Sequence, residues 1–113
     1  MNGCLFCKIA AGEIPSTKVY EDEKFYSFLD INPQAKVHAL IIPKEHYADI
    51  AELSKKDPAL AGEMLQKACL VAETLELDNG FRLITNKGAD GCQSVRHVHV
   101  HRLGGEELSD RMG

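Results

Sequence analysis

No run of apolar residues in this 113-residue chain approaches the length of a bilayer crossing, so no membrane-spanning helix is expected. The opening stretch MNGCLFCKIAAGE lacks a basic region followed by a long apolar segment, which leaves the cytoplasm as the default compartment. Basic charge is scarce as well. Thirteen Lys and Arg face 17 Asp and Glu, a formal net charge of −4. That balance gives no electrostatic basis for binding a nucleic-acid polymer or an anionic membrane, although a local basic patch can still hold a small anionic ligand. There is no internal repeat, and an apolar fraction of 44 % excludes extensive disorder. A chain of this length makes one domain (residues 1–113) with a modest core, and such chains often gain burial by pairing with a second copy.

Cysteine is sparse, at four residues. In a reducing compartment Cys4, Cys7, Cys69 and Cys92 are expected to be thiols or metal ligands rather than disulfides. Cys4-Leu5-Phe6-Cys7 has the gap of a zinc knuckle or a redox pair. No second pair exists to complete a knuckle, and no strand–CxxC–helix context supports a redox disulfide. Two small buried side chains remain the plain alternative. Cys69 sits among Leu65, Ala68 and Ala72 at helical spacing and is read as core.

Against these absences one stretch is rich. His97, His99 and His101 alternate with Val98 and Val100, so in an extended chain three imidazoles share one face and two valines the other. Beta-branched valines favour that pleated surface. Two chemistries use such a row. A neutral imidazole can attack an electrophile, with phosphorus the expected one, while its neighbours orient it and handle protons. Alternatively, alternate histidines can bind zinc with an open position for water.

The rest of the chain frames that row. Residues 10–15 read as a helical turn and loop. Residues 17–21 and 24–30 read as an antiparallel pair around Asp22-Glu23. Aromatics on both parities of the second strand suggest that one face meets the core and the other lines a pocket. Asp30 ends that strand, as a solvated residue or as an acceptor for sugar hydroxyls. After the turn 32–35, His38 opens the apolar strand 39–42, which Pro43 stops. A short helix follows, through Leu53. Asp57-Pro58 then caps a long amphipathic helix, 58–75, with Leu60, Met64, Leu65, Ala68, Val71 and Leu75 assigned to packing. Residues 81–86 read as a strand. Residues 87–94 form a loop whose Gly88 and Gly91 permit tight curvature and expose backbone N–H groups, and the histidine strand is expected from about Val95. The sum is an α+β domain centred on an antiparallel sheet of four or five strands.

The ordered set Asp30, His38, Asn86, Gln93-Ser94 and His97-x-His99-x-His101 resembles the histidine triad (HIT) hydrolases, in particular the branch of small nucleoside phosphoramidate hydrolases also called histidine triad nucleotide-binding proteins. The likeness runs from Cys4 to Gly105 and is carried by GCQSVRHVHVHRLGG and DINPQAKVHALIIPKEH. It implies a five-stranded antiparallel sheet with one long and one short helix, continued across a homodimer into ten strands. It also implies cleavage of P–N bonds in adenosine or guanosine phosphoramidates and related adenylate conjugates. His99 would be the nucleophile, His38 and His101 its flanking partners, and Ser94 the group assisting phosphate and leaving group. Asn86 and Gln93 would help hold that region, with the backbone at Cys92. Asp30 would take the ribose hydroxyls, and Phe6, Ile9, Phe28, Ile31 and Leu40 the purine.

His101 also matters for reaction class, because uridylyltransferase relatives carry glutamine there. Dinucleoside polyphosphate hydrolases keep the triad and are the nearer rival. A nucleotide-binding regulatory module with incidental hydrolysis, or a zinc hydrolase using all three strand histidines, are further alternatives. Relatives with the same cysteine pair bind structural zinc, which points here to Cys4, Cys7, His46 and His97. Two departures stand out. Cys92 replaces a common glycine, and the polar tail 106–113 lacks the Trp- and Pro-containing ending of the branch, where leaving-group preference is shaped.

Overall fold

The computed structural model describes residues 3–112. Its elements run α1 (Leu5–Ala10), β1 (Lys18–Glu21), β2 (Phe25–Leu29), β3 (Val37–Pro43), α2 (Ile50–Lys56), α3 (Pro58–Thr74), β4 (Phe81–Ile84) and β5 (Val100–Gly104). The strands form one sheet in the order β1-β2-β3-β5-β4, and every neighbouring pair is antiparallel. This is the expected α+β class with its five strands. The helix count differs: two short helices accompany the long one, because the segment at residues 5–10, rather than 10–15, is helical. Cys4 starts that helix, its Sγ accepting the Cys7 N–H at 3.2 Å.

Local chemistry explains the other boundaries. Asp22 folds the β1–β2 hairpin by accepting the N–H groups of Lys24 and Phe25, each at 2.8 Å. Asp49 caps α2 through the Glu52 N–H at 2.9 Å, and Glu52 reaches back to the Ala48 N–H at 2.8 Å, a reciprocal capping box. Asp57 caps α3 through the Leu60 N–H at 3.0 Å with Pro58 at the first turn.

Each face of the sheet is covered. Phe25 and Ile41 point to one side, where Leu53, Leu60, Met64 and Ala68 of α2 and α3 meet Val98 and Val100. Tyr26, Phe28, Leu40 and Ile42 point to the other, against Phe6 and Ile9 of α1. The aromatics on both parities of β2 are thereby accounted for.

Three expectations need correction. Cys69 is exposed, not core, and Leu65 is 47 % exposed. The buried stripe of α3 is Leu60, Met64, Ala68, Val71 and Ala72, so residues 65 and 69 fall one position outside it. The ladder of β5 starts at Val100, because residues 95–97 bend before pairing begins. On the helix-facing side, β5 also buries Arg102 completely. Its Nη1 donates to the Ala68 carbonyl at 3.0 Å and its Nη2 reaches Ser27 Oγ at 3.5 Å, while Nε has no partner. Burial pulls this guanidinium down to about 10.

Candidate active site and metal centre

The alternation of the histidine row survives although its first two members precede the ladder. Val98 and Val100 are buried under the helices, and the imidazoles lie on the opposite side. There the His99 ring packs edge-on to Phe6 (centroids 5.0 Å apart) and to His101 (4.9 Å).

Backbone partners set the tautomers. His99 Nδ1 lies 2.8 Å from the His97 carbonyl, which only accepts, so Nδ1 carries the proton and Nε2 keeps its lone pair. The Thr85 hydroxyl, just past the end of β4, donates to the His99 carbonyl at 2.8 Å and fixes the same residue. His38 is opposite in sense. The Gln34 N–H donates to His38 Nδ1 at 3.0 Å, so its Nε2 bears the proton and faces His101 Nδ1 at 2.9 Å and Asp30 Oδ2 at 3.5 Å. His101 therefore carries its own proton on Nε2. Burial lowers the proton affinity of His99 and of His38, offset partly by the His97 carbonyl and Asp30 for His99 and by Asp30 for His38. Burial, then His99 and His38, bring His101 down to about 4, so the three rest neutral near pH 7.

His97 belongs to a second constellation. Its Nε2 donates to the Pro43 carbonyl at 2.8 Å, which leaves the Nδ1 lone pair facing Cys4 Sγ at 3.2 Å, Cys7 Sγ at 3.4 Å and His46 Nδ1 at 3.3 Å. Cys7 Sγ is 3.3 Å from His46 Nδ1, and all four ligand atoms lie within 4.8 Å of one another. Tetrahedral zinc with bonds of about 2.0–2.1 Å to nitrogen and about 2.3 Å to sulfur spaces its ligands roughly 3.4–3.8 Å apart. Two thiols and two imidazoles at these separations fit that ion. Burial and the Cys4 side chain raise the Cys7 thiol to about 11. Asp30, His38 and His101 also cluster, but the proton on His38 Nε2 occupies the position a metal would need.

An apolar hollow of about 280 Å³ lies beside the row, lined by Phe6, Ile9, Phe28, Leu40 and the 99 %-exposed Ile31, with Asp30 its one carboxylate. All five apolar residues singled out for the purine are here. Ser94 is exposed on its rim. Asn86 is half-buried, two residues beyond β4.

The loop between them is tightly wound. A Cβ on Gly91 would stand 2.7 Å from the Lys87 carbonyl oxygen, and Gly88 has φ +71°. Cys92 occupies the left-handed region at φ 58° with its side chain exposed, a conformation that costs a non-glycine residue about 1–2 kcal/mol. Gln93 binds the loop itself. Its amide donates to the carbonyls of Ala48 (2.7 Å) and Val95 (3.0 Å) and accepts the Gly88 N–H at 3.1 Å. Sequence reasoning missed Thr85, Gln34 and Pro43, which act through a hydroxyl or the main chain and leave no side-chain signature.

Known proteins agree with this geometry. The HIT domain model matches residues 11–108. A 14 kDa zinc-binding protein of Zea mays is 47 % identical over 107 residues, covering 93 % of this chain and 84 % of that one. Adenylylsulfatase HINT1 of Arabidopsis thaliana is 43 % identical, covering 93 % and 73 %. The crystal structure of a HIT family hydrolase from Legionella pneumophila superposes with a TM-score of 0.93 at 45 % identity, covering 98 % of this chain and 100 % of that one. With a family model spanning most of its length and relatives this similar, the chain belongs to the HIT domain family.

Proposed function

We propose that this protein hydrolyses purine nucleoside phosphoramidates to AMP or GMP through a nucleotidyl-histidine intermediate at His99. The observation that carries this reading is the bond between His99 Nδ1 and the His97 carbonyl, which leaves the Nε2 lone pair free, with an apolar hollow lined by Phe6 and Asp30 beside it. The hollow takes the purine and Asp30 the ribose hydroxyls, which sets the α-phosphorus among His99, His101 and Ser94.

Nε2 of His99 attacks phosphorus, the P–N bond to the amine breaks, and the amine leaves with one added proton. Water then attacks phosphorus, the bond to His99 breaks, and water's proton is released as the nucleotide departs. One proton is consumed and one returned, so a single shuttle suffices, and His101 is placed to serve. Its resting imidazole is neutral, but an anionic phosphate beside it raises its proton affinity. His38 holds the His101 ring through the 2.9 Å contact. Donors aimed at the equatorial oxygens contribute about 3 kcal/mol each when they tighten in the transition state.

Cys4, Cys7, His46 and His97 would hold zinc. Bound there, the ion is structural, joining the start of α1 to the segment entering β5. The Zea mays relative, a zinc-binding protein by name, supports this assignment. The homodimer belongs to the same proposal: β4 is an edge strand of the sheet, and pairing with β4 of a second copy would cover that edge. Exposed Phe81, Leu65 and Leu70 supply apolar surface for it. Free cysteines suited to a metal match the reducing cytoplasm, where we place the protein.

The test is turnover of adenosine phosphoramidate by wild type and His99→Ala, with mass spectrometry of the quenched wild type to trap a nucleotidyl adduct. Equal rates for the two proteins would remove His99 from the chemistry. Tight nucleotide binding without turnover would favour a regulatory binding module. Adenylyl sulfate and dinucleoside polyphosphates belong in the same panel, the former because of the Arabidopsis relative.

A further inference from the structure

Apolar walls hold any flat ring, so Phe6, Ile9, Phe28, Ile31 and Leu40 do not by themselves read a base. Reading needs a polar group at the edge of the ring. Three polar side chains line the hollow: Asp30, Ser94 and Ser16. The proposed reading assigns Asp30 to the ribose and Ser94 to the phosphate. Ser16 has no assignment.

The strand supplies a ruler for its position. Tyr26 and Phe28 point to the α1 side of β2, and Asp30 follows at the same parity. Asp30 lies one residue past the strand, where its N–H donates to the His38 carbonyl at 2.9 Å and continues the pairing. Alternate residues of a strand stand about 6.6 Å apart, so Tyr26 and Asp30 mark a span of about 13 Å with Phe28 at its middle. Half-buried Ser16, in the segment joining α1 to β1, sits at the Tyr26 end, its Oγ 2.6 Å from the Tyr26 hydroxyl. A nucleoside with its ribose at Asp30 and its base on Phe28 turns the far edge of that base toward Ser16.

The bond to Tyr26 also sets what the serine offers. Tyr26 is buried, and Ser16 Oγ is the one partner of its hydroxyl among the described residues. A buried O–H requires an acceptor, so the phenol donates. Ser16 then keeps its own proton and a second lone pair, one donor and one acceptor on a single atom. The C6 substituent of a purine is a donor in adenine, an amino group, and an acceptor in guanine, a carbonyl oxygen.

We infer that Ser16, oriented by Tyr26, reads the polar group at C6 of a purine, accepting from adenine and donating to guanine. This rests on the nucleoside half of the proposed hydrolase reading. It gives the hollow a preference for six-substituted purines that apolar walls alone do not supply.

A specificity residue is tested by a ratio, here of affinities measured by isothermal titration calorimetry. The probes are AMP, GMP and purine riboside 5′-monophosphate, which carries only hydrogen at C6. Wild type should bind AMP and GMP each about fivefold tighter than the unsubstituted nucleotide, the size of one neutral hydrogen bond. Tyr26→Phe keeps the serine and should keep part of that preference. Ser16→Ala should lose most of it. The double variant, in which no freed phenol can replace the serine, should bring both ratios close to one. Equal affinities in wild type, or ratios unchanged in Ser16→Ala and the double variant, overturn the inference and leave the hydrolase reading intact. Ratios as expected without turnover of adenosine phosphoramidate remove the hydrolase reading and leave the inference. Failure of all three nucleotides to bind folded protein removes both.

Discussion

Two clusters of histidines share the segment 97–101, and the same device gives them opposite chemistry. In the Cys4–Cys7–His46–His97 cluster, the Pro43 carbonyl takes the Nε2 proton of His97 and leaves the Nδ1 lone pair facing two thiols and an imidazole. In the Asp30–His38–His101 cluster, the Gln34 N–H occupies His38 Nδ1 and keeps a proton on Nε2, between a carboxylate and another ring. A ring whose lone pair faces soft donors suits a metal, and one whose proton faces acceptors suits proton handling. Burial lowers the proton affinity of His97 and His101 alike, each to about 4, so depressed basicity does not tell the two apart. The partner on the far nitrogen does. His99 lies between them, oriented by the carbonyl of the metal-side residue and touching the ring of the proton-side one.

The largest expected effect breaks the comparison on the chemical side. His99→Ala should lower kcat/KM for adenosine phosphoramidate by about 10⁴-fold or more, in line with removal of a covalent nucleophile. Metal content measured on the same protein should stay at that of wild type. A parallel fall in metal would show that the clusters are not separable.

Cys4→Ala attacks the other side. One ligand of four is lost together with the cap of α1, so bound zinc should fall well below one equivalent per chain. Stability should fall by about 3 kcal/mol or more, which for a domain near this size lowers Tm by roughly 10–20 °C. Below that temperature, phosphoramidate turnover should remain within about tenfold of wild type, since the metal does no chemistry in this scheme. Loss of turnover from a still-folded protein would favour a zinc hydrolase instead.

His38→Ala sharpens the proton side alone. Removing the ring that holds His101 should cost about 10²-fold in kcat, the range for disturbed acid–base catalysis, with metal retained. Arg102 is the control on the same strand, a buried titratable group in neither cluster. Its guanidinium has no carboxylate partner and one orphaned nitrogen. Arg102→Met should therefore stabilise the fold by about 1–2 kcal/mol in urea unfolding and leave both metal and turnover unchanged. Destabilisation would mean that the bond to the Ala68 carbonyl outweighs desolvation.

How much of this was legible in the sequence depends on whether a side chain or the main chain carries the signal. The alternation of His97, His99 and His101 with two valines announced the segregated faces, and it held even where the ladder is absent. Asp57-Pro58 announced α3, but its phase was misjudged at Leu65 and Cys69, because apolar residues nearly encircle that helix and spacing alone does not choose a stripe. The cysteine pair read as an incomplete metal site, and local spacing pointed to neither His46 nor His97. Their convergence is a product of tertiary structure, and only family resemblance assigned it. The groups that set the tautomers, the Gln34 N–H and the carbonyls of Pro43 and His97, are consequences of backbone geometry with no residue-type signature at all.

The smallest effect concerns acid, and its sign follows from the depressed histidines. A histidine that titrates near 6.5 when unfolded and at about 4 when folded binds its proton more readily in the unfolded chain. Its contribution to stability is complete above pH 6.5 and is lost as pH falls through the folded value. Metal would mask this, because acid also protonates the ligands and releases the ion. The measurement is therefore made on zinc-free Cys4→Ala, comparing urea midpoints between pH 7 and pH 4 with and without His101→Gln. Stability should decline across that window, and the glutamine should flatten the decline without abolishing it, since His97, His99 and His38 are lowered too. The flattening should be slight, because His101 is only half-buried and solvent screens part of its cost. An unchanged slope would mean that His101 meets its proton equally well folded and unfolded. It could then serve as an acid in the resting enzyme, with no anionic phosphate needed to raise its affinity.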